Sequence, residues 1–189
     1  MPLNIDSEVM KVHILFVCTG NICRSPIAER LFAEYSSQTH APRIRASSAG
    51  THAMVGHPMH RDAATVLEKL GGDPRGFVAR RLTPKVGSNA DLILTMTTEH
   101  RKWVLETVPR MLQRTFTLVE AARLAENFCP EDITDLAMLR PHLKAGDSLD
   151  ISDPIGQRLD FFDSVGAKIA DLLPPVLELC ERSVARESS

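Results

Sequence analysis

The stretch that decides the fold is VHILFVCTGNICRSP, residues 12–26. Its first six residues are mostly apolar and rich in β-branched side chains, which is typical of a strand buried on both faces of a parallel sheet. Ser25 and Pro26 then supply an N-cap and a proline at the first helical position, so a helix is predicted to begin at Pro26. The polar residues between them therefore join a buried strand to a helix N-terminus, where open α/β sheets bind anions.

Further strands and helices alternate along the chain. Apolar periodicity and turn signals predict strands at residues 43–48, 91–96 and 115–118, and helices at residues 61–70 and after 97–98. A last helix is predicted from the three-to-four spacing of apolar residues between Phe162 and Cys180, and Pro174-Pro175 is expected to kink or divide it. Because parallel strands need crossover helices, this order predicts an α/β fold with a doubly wound sheet.

The length of 189 residues predicts a single domain, residues 1–189. Residues 1–10 are expected to form a flexible N-terminus, and residues 125–152, where periodicity fades between prolines, a long loop or excursion. With 43% hydrophobic and 24% charged residues, the composition predicts a folded, soluble protein. A formal net charge of −2 provides no electrostatic attraction to nucleic acid, so no nucleic-acid partner is expected.

The apolar run at residues 12–18 is too short to span a bilayer and lacks the flanks of a secretory signal, so no membrane insertion is expected. A cytoplasmic location follows as the default expectation, and thiols there stay reduced. Four cysteines are too few for a disulfide scaffold, which leaves them available for chemistry.

Loop 18–25, CTGNICRS, combines the features of an anion site with a nucleophile. Gly20 permits a tight turn, and Asn21 tolerates positive φ better than most other residues. Backbone amides, the helix dipole and Arg24 together suit a tetrahedral dianion, and the same field favours thiolate over thiol at Cys18. Cys23 is either a filler beside the loop or a resolving thiol for an oxidised Cys18.

Rival patterns are weaker. Cys180 and Arg186 repeat the six-residue offset of Cys18 and Arg24, but without a glycine or a preceding strand, and no Gly-x-x-x-x-Gly-Lys nucleotide loop exists.

Three histidines share one loop and are interpreted as surface residues rather than metal ligands; they are His52, His57 and His60. Trp103 and the phenylalanines are predicted core residues, and Cys129 and Cys180 are predicted to be buried small hydrophobes.

Loop 18–25, with Ser48-Ala49-Gly50-Thr51, residues 90–96 and Asp153-Pro154 in the same order, resembles the low-molecular-weight protein tyrosine phosphatases. The resemblance implies a flavodoxin-like single domain whose four-stranded parallel sheet is flanked by helices on both faces. It also implies Cys18 as nucleophile, Arg24 as phosphate clamp and Asp153 as general acid, without a metal or cofactor. The residues expected to bind phosphate or support the loop are Thr19, Gly20, Asn21, Ile22, Cys23, Ser25 and Ser48.

The expected reaction is hydrolysis of phosphotyrosine in a phosphorylated protein substrate through a cysteinyl-phosphate intermediate. Ser25 is either a plain N-cap or also a hydrogen-bond donor to the Cys18 sulfur. Ile155 and Gly156 follow Asp-Pro where tyrosine-specific relatives carry aromatic residues. Phe77 stands where the family often has a histidine, before the Val-Ala-Arg stretch, so the support of Asn21 is expected to be rearranged.

Three alternatives stay open. The phosphoarginine branch of the family carries a glycine soon after Asp-Pro, as here, but a threonine where this chain has Ile22, so phosphotyrosine is favoured. An arsenate reductase would need two further cysteines close together in a mobile segment, which Cys129 and Cys180 do not provide. A phosphate-binding module without catalysis is disfavoured because nucleophile, arginine and acid are all present.

Overall fold

The computed structural model describes residues 12–39, 43–143, 146 and 148–186, and the predicted flexible segment 1–10 lies outside them. Four parallel strands form one sheet with the order β2-β1-β3-β4. They are β1 (Val12–Cys18), β2 (Ile44–Gly50), β3 (Leu92–Thr95) and β4 (Thr115–Thr117). The predicted four-stranded parallel sheet is confirmed, with strand ends shifted by one or two residues.

The strand order fixes where a ligand site belongs. β1 lies between β2 and β3, with Cys18 opposite Gly50 and Val17 opposite Thr95. The chain therefore leaves β1 toward a helix at the point where the strand order reverses. Open α/β sheets bind ligands at this switch point, beyond the carboxyl ends of the strands.

Seven α-helices and three short 3₁₀ turns surround the sheet in the described residues. The helices are α1 (Arg24–Gln38), α2 (Arg61–Lys69), α3 (Pro84–Ser88), α4 (Thr98–Thr107), α5 (Leu118–Phe128), α6 (Leu136–Leu139) and α7 (Leu159–Arg186). The 3₁₀ turns are Pro109–Arg114, Ile133–Asp135 and Arg140–His142. In this part of the chain no helix is long and apolar enough to cross a membrane.

Alternate residues of β1 bury against opposite layers, as the two-residue period of a strand requires. Ile14 and Phe16 pack in the larger core with α1, α2, α5 and α7. Leu15 and Val17 pack in the smaller core with α4 and the turn Pro109–Arg114. The predicted helices on both faces of the sheet are therefore confirmed.

One predicted helix start is wrong, and the division of another helix at two prolines is not found. α1 begins at Arg24, two residues before Pro26, and Cys23 is its N-cap residue. α7 continues through Pro174 and Pro175 without division. Each proline removes one backbone hydrogen bond and crowds the carbonyl four residues earlier, but the buried side chains on either side of the pair keep the helix packed on the core.

The predicted loop 125–152 is partly helical. Residues 125–128 belong to α5, and two 3₁₀ turns and α6 occupy all of 133–142, while residues 144, 145 and 147 lie outside the described residues. The start of α5 was detectable in the sequence, because Thr117 and Glu120 form a capping box.

Two core predictions are also wrong. Cys129 is exposed, because it ends α5 in the left-handed conformation with φ +43° and so leaves the packed face of the helix. Phe128 beside it is 43% exposed, whereas Phe16, Phe32 and Phe116 are fully buried. Trp103 packs against the smaller core while partly exposed. Cys180 is fully buried, as predicted.

Candidate active site

Loop 18–25 bends around Asn21, which adopts a left-handed backbone with φ +55°. The Asn21 side chain is fully buried and uses both ends of its amide. Its Nδ2 donates to Ser25 Oγ at 3.0 Å and to Ser48 Oγ at 2.8 Å, and its Oδ1 accepts from the Arg80 backbone N at 2.9 Å. These three bonds stabilise a conformation that costs a non-glycine residue about 1–2 kcal/mol.

The backbone carbonyls of loop 18–25 are tied to the segment that follows β2. Cys18 O and Thr19 O accept from the amides of residues 51 and 52, at 2.9 and 3.0 Å. Gly20 O and Ile22 O accept from the amides of residues 54 and 60, at 2.9 and 2.8 Å. The carbonyl edge of the loop is thus fixed along most of its length.

Cys18 ends β1 and is buried, and its Sγ lies 2.9 Å from Ser25 Oγ. Because Ser25 Oγ already accepts from Asn21 Nδ2, its own proton is available for the sulfur. The plain N-cap interpretation of Ser25 is therefore wrong, since the residue lies inside the first turn of α1 and its hydroxyl contacts Cys18.

The Arg24 side chain is buried at the base of the same loop, only 4% exposed. Its Nη1 donates to Ile151 O at 3.0 Å and its Nη2 to Asp153 Oδ2 at 2.6 Å. Its Nε has no hydrogen-bond partner among the described residues. A buried guanidinium N–H of this kind is costly unless an acceptor binds it.

Loop 150–155 carries Asp153 and is anchored at three points besides Arg24. Ile151 N donates to Met96 O at 2.8 Å, Thr98 N donates to Asp150 Oδ1 at 2.7 Å, and Lys168 Nζ donates to Asp150 O at 3.0 Å. The Asp153 carboxylate at the end of this loop is 47% exposed. These anchors hold the carboxylate over loop 18–25.

A cavity of about 290 Å³ opens between the two loops. Most of the predicted site residues line it, namely Cys18, Thr19, Gly20, Ile22, Cys23, Arg24 and Asp153. The rest of the lining is formed by His52, Met54 and Ile155. Asn21, Ser25 and Ser48 do not line the cavity and lie behind it as the hydrogen-bonded support described above.

His100 is a site residue that the sequence analysis missed. Its Nε2 lies 2.8 Å from Thr19 Oγ1 and its Nδ1 2.9 Å from Thr97 Oγ1. Burial, with the positive charge of Arg24, lowers its pKa to about 4, so the ring is neutral at physiological pH. The sequence held one local signal for this position. Thr97 is the N-cap of α4 and accepts from His100 N, which places the His100 ring in the first turn of the helix.

The three loop histidines have separate contacts. The His52 ring lies at the cavity with its centroid 5.8 Å from Trp103, and His57 Nδ1 lies 3.2 Å from Met54 O. His60 caps α2 and stacks on Phe162 at 5.2 Å.

Cys23 is buried beside the cavity, and its burial together with the negative charge of nearby groups raises the pKa of the thiol. Its thiol is therefore protonated at neutral pH. The redox role considered for Cys23 stays a prediction.

The chain is similar to known proteins over most of its length. The family profile of low molecular weight phosphotyrosine protein phosphatases matches residues 13–126. The low-molecular-weight protein-tyrosine-phosphatase Etp of Escherichia coli (strain K12) is 42% identical over 102 residues, which cover 54% of this chain and 66% of the relative.

Solved structures extend the similarity beyond the profile match. The low molecular weight protein tyrosine phosphatase from T. tengcongensis superposes with a TM-score of 0.72 at 28% identity, covering 89% of this chain and 99% of that one. YwlE arginine phosphatase from Geobacillus stearothermophilus gives a TM-score of 0.69 at 26% identity, covering 88% and 91%.

Proposed function

Because the chain belongs to the low-molecular-weight phosphotyrosine protein phosphatase family, we propose that it hydrolyses phosphotyrosine in protein substrates through a cysteinyl-phosphate on Cys18. The observation that carries the proposal is the convergence of nucleophile, arginine and acid on one cavity. Arg24 and Asp153 are 129 residues apart in sequence and pair at 2.6 Å.

In the first step the Cys18 thiolate attacks phosphorus, the S–P bond forms, and the P–O bond to the tyrosine oxygen breaks. Protonated Asp153 gives its proton to the departing phenolate, a base whose conjugate acid has a pKa of about 10. The unpartnered Arg24 Nε and the amides of loop 18–25 bind the equatorial oxygens as charge develops.

In the second step water attacks phosphorus, Asp153 takes a proton from it, and the S–P bond breaks to release inorganic phosphate. The Ser25 hydroxyl, 2.9 Å from Cys18 Sγ, donates to the sulfur as negative charge returns to it. Ser25 thereby makes the thiolate a better leaving group, while Cys18 remains the atom that bonds phosphorus.

The walls of the cavity favour a ring-bearing substrate. Ile22, Met54 and Ile155 present apolar surface at the mouth, and Met54 and Ile155 are about half exposed. Apolar side chains can pack on both faces of a phenyl ring, and a thioether makes a favourable contact with an aromatic ring. A phosphoserine side chain is too short to use these walls.

A phosphoarginine substrate is the second candidate. It is supported by the structural similarity to a YwlE arginine phosphatase and by Gly156, which adopts φ +80° two residues after Pro154. The guanidinium of phosphoarginine is planar but polar, so it packs less favourably against the apolar Ile22 side chain than a phenyl ring does.

A side-by-side rate comparison on matched phosphotyrosine, phosphoarginine and phosphoserine peptides tests the proposal, with EDTA present throughout. We expect the highest kcat/KM on phosphotyrosine and loss of turnover in Cys18→Ser. Cys129→Ser is the matched control, because Cys129 is exposed and does not line the cavity. Activity that survives Cys18→Ser would overturn the mechanism, and a faster rate on phosphoarginine would reverse the substrate assignment.

A further inference from the structure

The support of loop 18–25 does not end at Ser48. Ser48 Oγ lies 2.5 Å from Oε2 of Glu29, a residue of α1 whose side chain is only 19% exposed. Glu29 does not line the cavity. It nevertheless connects to the nucleophile through an unbroken series of side-chain hydrogen bonds that includes Ser48, Asn21 and Ser25.

With Glu29 ionised, the bond directions in this series can be assigned one after another. An ionised carboxylate only accepts, so Ser48 donates its single proton to Glu29. The Ser48 oxygen is then an acceptor for Asn21 Nδ2 at 2.8 Å. The other Nδ2 proton goes to Ser25 Oγ, which leaves the Ser25 proton for Cys18 Sγ.

Glu29 sets the orientation at one end of the series. Without its carboxylate, the Ser48 proton has no assigned acceptor among these groups, and the hydroxyl can rotate so that its proton faces the Asn21 amide, itself a donor. That arrangement removes one of the bonds that hold Asn21 at φ +55°. Loop 18–25 would then lose the conformation that places Cys18 beside Arg24.

We propose that Glu29 is a positioning residue for the Cys18 nucleophile, acting through Ser48 and Asn21. The inference rests on the proposed phosphatase function for its consequence in turnover. It also answers the question raised by Phe77, which has no polar group to offer Asn21, because the polar support comes from Ser48 and from the Arg80 backbone instead.

The positive charges around Glu29 favour its ionised form, which accepts hydrogen bonds. Arg30 Nε lies 3.7 Å from Glu29 Oε1, and Arg80, whose Nε donates to Ser48 O at 2.8 Å, adds positive charge nearby. Burial raises the pKa of Glu29, and the Ser48 hydrogen bond and the two arginines oppose that rise.

The test compares Glu29→Ala with Glu29→Gln. The amide oxygen of glutamine can still accept from Ser48, so Glu29→Gln should keep most of the activity. Glu29→Ala should lower kcat/KM on p-nitrophenyl phosphate about tenfold or more, within the about 10²-fold that a misplaced catalytic group costs. The loss should fall mainly on kcat. Glu34→Ala, elsewhere on α1, is the matched control and should match the wild type.

A double-mutant cycle with Ser48→Ala separates positioning from general destabilisation. If Glu29 acts through Ser48, the double variant should be no slower than Ser48→Ala alone, because the connection is already broken. Independent losses that multiply, or a Glu29→Ala variant as active as the wild type, would overturn the proposal.

The rate of Cys18 alkylation by iodoacetate, followed by mass spectrometry of the Cys18 peptide, needs no turnover. Glu29→Ala should slow it and Glu29→Gln should not, with melting temperatures measured to confirm that both variants fold. If the wild type fails to hydrolyse any phosphopeptide, the proposed function falls, while this alkylation comparison still decides the role of Glu29. Equal alkylation rates in all variants would refute that role.

Discussion

Replacing Asp153 by asparagine should have two opposite effects, because the proposed mechanism uses the acid form of its side chain as a proton donor, while the carboxylate pairs with Arg24. Asparagine keeps the size of the side chain but removes its acidic proton and its charge. Turnover should fall, and binding of inorganic phosphate should become tighter. A residue with only a structural role would weaken both.

The loss of turnover should depend on the leaving group. General acid catalysis contributes about 10²–10⁴-fold, which corresponds to about 2.7–5.5 kcal/mol of barrier. An unactivated phenolate needs that proton, whereas p-nitrophenolate leaves readily without it. We therefore expect Asp153→Asn to slow phenyl phosphate or phosphotyrosine far more than p-nitrophenyl phosphate in steady-state assays.

The gain in phosphate affinity follows from the Arg24 geometry. Arg24 Nη2 donates to Asp153 at 2.6 Å, and the carboxylate is 47% exposed, so the pair is worth only about 0.2–1 kcal/mol. Removing its charge frees Arg24 for the anion and should lower the competitive inhibition constant of phosphate by up to about fivefold. Equal slowing of all leaving groups would remove Asp153 from the acid role, and weaker phosphate binding would refute its competition for Arg24.

Three further substitutions test the fold around the site. Cys129→Gly should stabilise the protein by about 1 kcal/mol, because glycine adopts φ +43° without cost; an unchanged or lower melting temperature would contradict this. His100→Asn should flatten the loss of thermal stability between pH 6.5 and 4, because the native ring has a lowered pKa of about 4 and the unfolded ring takes up a proton first as pH falls; a profile as steep as that of the wild type would contradict it. Gly50→Ala should cost about 1–3 kcal/mol and most of the activity, because its Cβ would lie 2.4 Å from the Thr19 carbonyl oxygen; a fully active variant would show that loop 18–25 tolerates displacement.

The sequence was sufficient to predict the fold where a pattern is local. The strand at residues 12–18 and the anion-binding loop after it needed only strand composition, a glycine and the start of a helix. The strand order β2-β1-β3-β4 comes from the structure, and it places loop 18–25 at the switch point. Helix ends were less predictable, since Ser25 and Pro26 suggest a capped start that the contact with Cys18 overrides.

Residues that support the site from other elements were not predictable in this way. His100 reaches Thr19 across 81 residues, and Arg80 reaches Asn21 across 59. The Thr97 cap places His100 in the first turn of α4, but the contacts of His100 with Thr19 and of Arg80 with Asn21 depend on side chains and backbone that meet only after the sheet and helices have packed. The left-handed end of α5 at Cys129 escaped prediction for a related reason, since cysteine there gives no sign of positive φ.

The hydrogen bonds of Asn21 show that the loop does not need a polar side chain at Phe77. Asn21 makes three hydrogen bonds, to Ser25 on α1, to Ser48 on β2 and from the Arg80 backbone. The Arg80 bond uses a main-chain amide, so it requires the path of the backbone there rather than the identity of a side chain. Phe77 is itself 7% exposed, and its ring lies beneath the Arg30 guanidinium, 5.7 Å from the ring centroid. The polar support of Asn21 thus comes from groups that α1, β2 and the Arg80 backbone fix, with Phe77 contributing none of it.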